Sequence, residues 1–252
     1  MSSESAPKLA FVTGGSRGLG FEVARGLARS GISSVLIAKD SERLKNAAQQ
    51  LSAEFPALTF QTSACDLEDQ VQTRKTSEDL LAKYGAPFAL VLAHGVMSEK
   101  MSKTLRTTDA EWRRVMAINL DSVFTLVNVL GAAMADARDG RRVVIFSACL
   151  GRMSGPGNAG GLAPYRISKA GVNAFVRNLA HETGLGARGF YVDAICPNHS
   201  RTDMGGADAP RSAEEGAECA VWLASREFNL AGATDQEKLT GLLWEERQVI
   251  PW

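Results

Sequence analysis

The chain has 252 residues, 45% of them hydrophobic and 22% charged, which suits a soluble globular protein with a sizeable core. Lys plus Arg and Asp plus Glu both number 28, so the zero net charge gives no support to a broad basic surface for nucleic acid. The four cysteines show no metal-ligand spacing, so we expect free thiols and no bound metal. The polar start and the lack of about 18 uninterrupted apolar residues predict a cytoplasmic protein without signal peptide or membrane span.

Short apolar runs alternate with longer helical patterns along the whole chain. Strands are predicted at Leu9–Thr13, Ser34–Ala38, Thr59–Ala64, Phe88–Ala93, Arg142–Ser147 and Phe190–Cys196, with an edge strand at Gly241–Trp244. Helices are predicted at Gly18–Arg29, Ser41–Phe55, Leu67–Tyr84, Asp109–Ala135, Tyr165–Leu185 and Ser212–Ala224. This alternation predicts an α/β fold, a single domain over residues 1–252 with a parallel, doubly wound sheet of about seven strands flanked by helices. Ligands of such sheets bind at the carboxyl ends of the strands.

The stretch 13–20, T-G-G-S-R-G-L-G, directly follows the first strand and opens the first helix. Glycines let the backbone approach a pyrophosphate, and the helix N-terminus supplies N–H groups and positive potential. This context predicts a dinucleotide site. The T-G-x-x-x-G-x-G spacing resembles that of the classical short-chain dehydrogenase/reductase family, and the resemblance extends in order over nearly the whole chain. It implies a Rossmann fold.

The end of the second strand favours NADP(H) over NAD(H). In the register of the family, Ala38 occupies the position of the carboxylate that holds the ribose 2′-hydroxyl in NAD-dependent proteins, and Lys39 follows it. Lys39 and Arg17 then offer two cations to a 2′-phosphate. Two alternatives stay open: both are ordinary surface charges, or a slip of register brings Asp40 to the ribose.

Further positions of the family complete the expected cofactor site. Asp66 resembles the carboxylate that meets the adenine amino group, with a helix N-cap as the alternative. Ala93-His94-Gly95 stands where N-A-G is usual, so one hydrogen bond of the lost Asn must be made another way. The residues expected to bind cofactor are Gly14, Ser16, Arg17, Gly18, Leu19, Gly20, Ala38, Lys39, Asp66, Leu67, Ala93, Gly95, Lys169, Pro197 and Thr202.

The pair Tyr165 and Lys169 has Y-x-x-x-K spacing, which places both side chains on one face of a helix. The resemblance implies that Tyr165 is a general acid or base, with its pKa lowered by the Lys169 ammonium. Asn119 resembles the Asn that bends the long helix of the family and anchors a proton-relay water. A buried structural amide is the alternative for Asn119.

The position of the family's catalytic serine carries Ala148, and three explanations stay open. Ser147, or a residue such as Ser154 in the predicted active-site loop Gly151–Gly161, replaces the missing donor. The substrate does not need that donor, as with an imine or iminium. The protein has kept the cofactor pocket but lost or changed its redox chemistry. An engineered Ser→Ala change would leave the same sequence.

The loop after the sixth predicted strand departs from the family's P-G-x-x-x-T. Pro197 and Thr202 fit, and Asn198 replaces the glycine, a change that the turn survives if Asn takes a positive φ. His199 is a candidate proton donor to substrate, with an ordinary loop histidine as the alternative. Residues 204–211 are predicted to form a mobile flap.

These features favour an NADPH-dependent reductase that transfers hydride to a carbonyl or imine/iminium carbon of a small molecule. Residues 240–252 resemble the tail of carbonyl-reductase-like members, which supports reduction. One alternative is a non-redox or bifunctional enzyme of secondary metabolism, such as a cyclase or isomerase, that retains NADP(H). A non-enzymatic NADP-binding sensor is the other. Similar proteins lead us to expect a homodimer or homotetramer.

Overall fold

A computed structural model describes residues 8–99, 103–155, 160–226 and 239–252. In these residues eight strands form one sheet, in the spatial order β3-β2-β1-β4-β5-β6-β7-β8. The strands are β1 Leu9–Thr13, β2 Ser33–Ala38, β3 Phe60–Ala64, β4 Ala89–Leu92, β5 Arg141–Phe146, β6 Phe190–Ile195, β7 Leu243–Glu245 and β8 Gln248–Ile250. Every neighbouring pair is parallel except β7 and β8, which are antiparallel.

Six helices of eight or more residues cover both faces of the sheet in the described ranges. They are α1 Gly18–Arg29, α2 Ser41–Glu54, α3 Gln70–Tyr84, α4 Asp109–Ala137, α5 Ala163–Glu182 and α6 Ala213–Ser225. Apolar side chains of α1, α2 and α6 pack with one face of the strands, and those of α3, α4 and α5 pack with the other. The sheet therefore lies between two cores, and the predicted doubly wound α/β fold is confirmed.

The long helix α4 contains two wider π turns, at Ala117–Asp121 and Val127–Gly131. By length and composition it is the one helix among the described residues that passes as a membrane span, although the sequence predicts none. Half of its most apolar window is buried within the fold. Burial of this kind is typical of a core helix.

The structure corrects the predicted start of one helix and the predicted edge of the sheet. Helix α3 begins at Gln70 and not at Leu67, because the Asp69 carboxylate accepts hydrogen bonds from the backbone N–H groups of Val71 and Gln72. Asp66 is therefore not the cap of this helix. The strand predicted at Gly241–Trp244 corresponds to β7, but it does not lie at the edge of the sheet, because β8 pairs with its outer side. The sequence analysis did not predict β8.

Strand β1 lies between β2 and β4, so successive strands are added first on one side of β1 and then on the other. The loops after β1 and β4 diverge at this switch point and leave a crevice at the carboxyl ends of the strands. The residues of the candidate site that the structure describes lie around this crevice.

Candidate active site

A cavity of about 400 Å³ opens at the carboxyl ends of the strands, around the switch point. Thirteen of the fifteen residues predicted to bind cofactor line it: Gly14, Ser16, Arg17, Gly18, Leu19, Gly20, Ala38, Lys39, Asp66, Leu67, Ala93, Gly95 and Thr202. The other two are Lys169, which lies buried beside Gly95, and Pro197, which lines a separate cavity.

The loop between β1 and α1 can turn this tightly only because its glycines lack side chains. Gly14 and Gly18 have φ angles of +67° and +55°, a region that favours glycine. A Cβ on Gly20 would lie 2.3 Å from the Gly14 carbonyl oxygen, so no larger residue fits. Thr202 closes over this loop, with its methyl carbon 3.2 Å from where a Cβ of Gly18 would be. The backbone atoms of this glycine loop therefore form a cradle along the cavity.

Both predicted cations lie at this cavity and are paired with carboxylates. Lys39 Nζ is 2.6 Å from Asp66 Oδ2, which raises the pKa of Lys39 and lowers that of Asp66. Arg17 forms an ion pair with Asp203, which follows Thr202. Exposed pairs of this kind contribute little stability, so an incoming phosphate can compete for the cations.

A third cation, Arg43, also lines the cavity, and the sequence analysis did not single it out. Its position four residues after Lys39, in the first turn of α2, was the available signal. Asp40 caps this helix, since its carboxylate accepts from the N–H groups of Glu42 and Arg43 at 3.1 and 3.0 Å. Asp40 thus has a structural role that does not require contact with a ribose.

His94, which follows Ala93, connects two elements of the fold by hydrogen bonds. Its Nδ1 is 2.6 Å from Thr13 Oγ1 and its Nε2 is 2.8 Å from Ser122 Oγ, so the ring joins the end of β1 to α4. Burial, and then the Lys169 ammonium, lower the pKa of His94 to about 3. His94 is therefore a neutral brace behind the cavity.

Tyr165 and Lys169 lie one turn apart on α5 and are both buried, as their spacing predicts. Lys169 Nζ donates to the Phe146 carbonyl oxygen at 2.6 Å and is 5.9 Å from the centre of the Tyr165 ring. Burial lowers the pKa of Lys169 to about 8. The pKa of Tyr165 is raised by burial and then by Cys196 and Cys149, so the predicted lowering by Lys169 is wrong for this arrangement. Burial of the phenol is the main cause, and the Lys169 ammonium donates to the Phe146 carbonyl.

Asn119 lies in the first π turn of α4, consistent with a bend at this position. Its Nδ2 donates to the Val96 carbonyl at 3.0 Å and to Ser168 Oγ at 3.1 Å, and its Oδ1 accepts from Val96 N–H at 2.8 Å. A Cβ on Gly95 would lie 3.4 Å from both Asn119 Oδ1 and Lys169 Nζ. The structure thus brings the amide and the ammonium together behind the cavity.

Neither predicted substitute for the missing serine is free to polarise a substrate. Ser147 Oγ is buried and donates to Asn173 Oδ1 at 2.5 Å and to the Lys169 carbonyl at 3.3 Å. Ser154 is exposed and donates to the Trp252 carbonyl at 3.3 Å. Ser147 points into the packing of α5, and Ser154 contacts the C-terminal residue.

The loop after β6 retains its turn, because Asn198 adopts a φ of +57° as expected. His199 is exposed, and its Nε2 lies 2.8 Å from the Gly205 carbonyl oxygen. The histidine therefore contacts its own loop and does not line the nucleotide cavity. The Arg201 guanidinium donates to the carbonyls of Ala209 and Pro210, which ties the predicted flap to the chain before it.

A pair of cysteines that the sequence analysis did not connect lies beside Tyr165. Cys149 N–H donates to Cys196 Sγ at 3.1 Å. The sequence signal was that Cys149 lies two residues after the predicted strand Arg142–Ser147, and that Cys196 ends the predicted strand Phe190–Cys196.

The fold and the cavity define a dinucleotide-binding α/β protein, and the comparisons identify its family. The sequence profile described as short chain dehydrogenase matches residues 8–214. The chain therefore belongs to the short-chain dehydrogenase family, a family of oxidoreductases.

Curated relatives agree with this assignment. A 3-oxoacyl-[acyl-carrier-protein] reductase FabG of Salmonella typhimurium is 32% identical over 197 residues, covering 78% of this chain and 75% of the relative. A galactitol 2-dehydrogenase (L-tagatose-forming) of Cereibacter sphaeroides is 33% identical over 198 residues, covering 77% and 72%.

Solved structures share the fold. A short chain dehydrogenase from Salmonella enterica serovar Typhi superposes with a TM-score of 0.80 at 23% identity, covering 94% of this chain and 95% of that one. A blue fluorescent protein from a metagenomic library, solved with NADPH, gives a TM-score of 0.75 at 26% identity, with 94% of both chains covered.

Proposed function

We propose that this protein is an NADPH-dependent reductase that transfers hydride to a carbonyl or imine/iminium carbon of a small molecule. The observation that carries the proposal is the convergence of two groups at one switch point: the glycine cradle with its cations, and the buried set Tyr165, Lys169 and Asn119. A nucleotide-binding protein without chemistry has no need of the second group.

The residues present fit NADP(H). The backbone of 14–20 would hold the pyrophosphate at the N-terminus of α1, in a tight loop that a Cβ on Gly20 would disrupt by clashing with the Gly14 carbonyl. Lys39 and Arg17, with Arg43, would hold the 2′-phosphate, and no carboxylate replaces Ala38. The related blue fluorescent protein was solved with NADPH, which supports the same choice of cofactor. When bound, the cofactor supplies a hydride from its nicotinamide ring.

Tyr165 is the proposed proton donor to the substrate oxygen or nitrogen. Burial and the two neighbouring cysteines raise the pKa of its phenol, so the group is protonated at neutral pH. A protonated phenol is the form that reduction requires. Lys169 would bind the nicotinamide ribose, and with a pKa of about 8 it is largely an ammonium at neutral pH. Asn119 would fix the end of the proton path through its contact with Ser168.

Ala148 determines which substrates are favoured. Its side chain is only 8% exposed and cannot donate a hydrogen bond, so the reacting polar atom would take its donor from Tyr165 alone. An imine or iminium nitrogen needs less polarisation than a ketone oxygen. The relatives named as a 3-oxoacyl reductase and a galactitol dehydrogenase act at carbon–oxygen centres, which supports a carbonyl substrate. Both classes therefore belong in the first screen.

The cofactor is tested by thermal unfolding of wild type and Lys39→Asp with NADPH and with NADH. Binding to the folded state raises the Tm by mass action, so we expect a large rise with NADPH that the variant loses. Lys75→Asp is the matched control, because the exposed Lys75 forms a similar ion pair with Asp79 away from the cavity. Equal rises with NADPH in wild type and Lys39→Asp would contradict the assigned 2′-phosphate site.

The reaction is tested by substrate-dependent oxidation of NADPH with 3-oxoacyl thioesters, keto sugars and cyclic imines. Tyr165→Phe should retain NADPH binding and lose turnover by at least about a hundredfold, as expected for loss of a general acid. Tyr191→Phe, another buried tyrosine, is the matched control and should retain turnover. Turnover that survives in Tyr165→Phe would overturn the assignment.

We propose that the protein is a cytoplasmic homodimer or homotetramer built from one domain per chain. Phe124 on α4 and Ile167 on α5 are 52% and 44% exposed, which supports self-association through these helices. Sedimentation of the wild type and of Phe124→Asp tests this, and a monomeric wild type at micromolar concentration would refute it.

A further inference from the structure

Two cysteines distant in sequence meet because neighbouring strands end together. Strands β5 and β6 are in parallel register, with Phe146 opposite Ile195, so the residues just beyond them are adjacent. Cys149 lies in the short 3₁₀ turn after β5, and Cys196 directly follows β6. The Cys149 N–H donates to Cys196 Sγ at 3.1 Å, and the two thiols are hydrogen-bonded to each other.

The two thiols differ in exposure and in charge preference. Cys196 is 3% exposed, whereas Cys149 is half-buried. The hydrogen bond from Cys196 lowers the pKa of Cys149, and the nearby Arg152 guanidinium favours the thiolate while Glu245 opposes it. The pKa of Cys196 is raised by the same hydrogen bond and by burial. The reactive thiolate of the pair is therefore the accessible Cys149.

The other two cysteines lack these features. Cys65 and Cys219 are both buried, and burial raises the pKa of each thiol. Neither is hydrogen-bonded to another cysteine in the described part of the chain. They therefore serve as internal controls for any reaction at Cys149.

We propose that Cys149 and Cys196 form an oxidative modification site for hydroperoxides, with Cys149 as the attacking thiolate and Cys196 as the resolving thiol. The Cys149 sulfur attacks one peroxide oxygen, the O–O bond breaks, and the other oxygen leaves as hydroxide or alkoxide. The Cys149 sulfenic acid is then attacked by the Cys196 sulfur, an S–S bond forms, the S–O bond breaks, and water leaves. Two thiols lose two electrons in total, and the peroxide gains them.

The position of the pair gives the modification a consequence. Both thiols lie close enough to Tyr165 to influence its phenol, yet neither lines the nucleotide cavity. Oxidation is therefore expected to change the surroundings of the phenol and leave NADPH binding intact. The modification itself does not depend on the proposed reduction, since it needs only the two thiols and a peroxide.

The test titrates the reduced full-length protein with hydrogen peroxide and counts free thiols with a chromogenic disulfide. Of the four free thiols, wild type should lose two and regain them with dithiothreitol. Trypsin digestion without reductant should link the peptide 143–152 to the peptide 189–201, with the mass of the pair lowered by two hydrogens. Cys196→Ser should give no linked peptide and should carry sulfinic acid at Cys149. The double variant Cys65→Ser, Cys219→Ser should behave as wild type.

Three outcomes would overturn the proposal. The first is the absence of the linked peptide in wild type while other residues are oxidised. The second is a linked peptide that joins Cys149 to Cys65 or Cys219. The third is thiol loss in Cys149→Ser at the wild-type rate. Because the peptide map of the wild type decides the question alone, the proposal stays testable if a serine variant fails to fold.

Discussion

Replacing Lys169 by Met should change how the stability of the ligand-free protein depends on pH. The pKa of Lys169 is lowered by burial from 10.5 to about 8, so below pH 8 the fold must hold a buried ammonium. Between these two pKa values the unfolded chain binds more protons than the folded one, and stability therefore rises with pH across this window. From pH 7 to about pH 9.5 the lysine contributes about 2 kcal/mol of this rise, from the shift in pKa. The methionine variant lacks that contribution.

The measurement is urea unfolding of wild type and Lys169→Met across this pH range, compared as a difference. Titratable groups that are common to both proteins drop out of this difference in unfolding free energy. Tyr165 is one of them, and its raised pKa makes stability fall as pH rises, opposite to the effect of Lys169. Methionine also leaves the Phe146 carbonyl without the 2.6 Å hydrogen bond, a constant cost that does not vary with pH. Lys75→Met is the control and should show a flat difference. A flat difference for Lys169→Met would refute the view that burial governs this ammonium.

Three further substitutions test other parts of the site. Ser147→Ala should lower the free energy of unfolding by about 1–3 kcal/mol and change kcat/KM less than about threefold, because the hydroxyl donates a hydrogen bond to Asn173 in the core. A loss of turnover at unchanged stability would restore Ser147 as a catalytic donor. Ala148→Ser should raise kcat for a ketone at least about tenfold and leave an imine nearly unaffected, as expected for one added donor to a developing oxyanion; equal effects on both substrates would contradict this role. Gly20→Ala should abolish the rise in Tm with NADPH, since its Cβ would lie 2.3 Å from the Gly14 carbonyl oxygen; an undiminished rise would show that the cradle is not the nucleotide site.

The nucleotide half of the site could be predicted from the sequence because its chemistry is local. The spacing of Gly14, Gly18 and Gly20 determines where the backbone can approach a ligand, and a strand before and a helix after them fix the geometry. Lys39 was located by its distance from the end of the second strand. Each of these inferences uses residues within one strand-loop-helix unit.

The remaining features depend on contacts between distant segments, which no periodicity records. Ser147 was a plausible donor until Asn173, 26 residues later, was found to accept its hydrogen bond. The eighth strand contributes only three residues, too few for a strand pattern. The pKa of Tyr165 was predicted in the wrong direction because spacing gives the position of Lys169 along the helix and not the carbonyl to which its ammonium points.

The departures from the family pattern are concentrated on the catalytic side of the site, and their effects act in one direction. Burial raises the pKa of the Tyr165 phenol, and the neighbouring Cys196 and Cys149 raise it further. Ala148 offers no hydroxyl that could stabilise a phenolate. Oxidation of an alcohol needs the phenolate as a base, whereas reduction needs the phenol as an acid. The raised pKa of the phenol supports the proposed reduction, which should persist until the Lys169 ammonium loses its proton near its pKa of about 8. Above that pH Lys169 would no longer offer a cation to the nicotinamide ribose, so reductive turnover should fall before the phenol itself ionises.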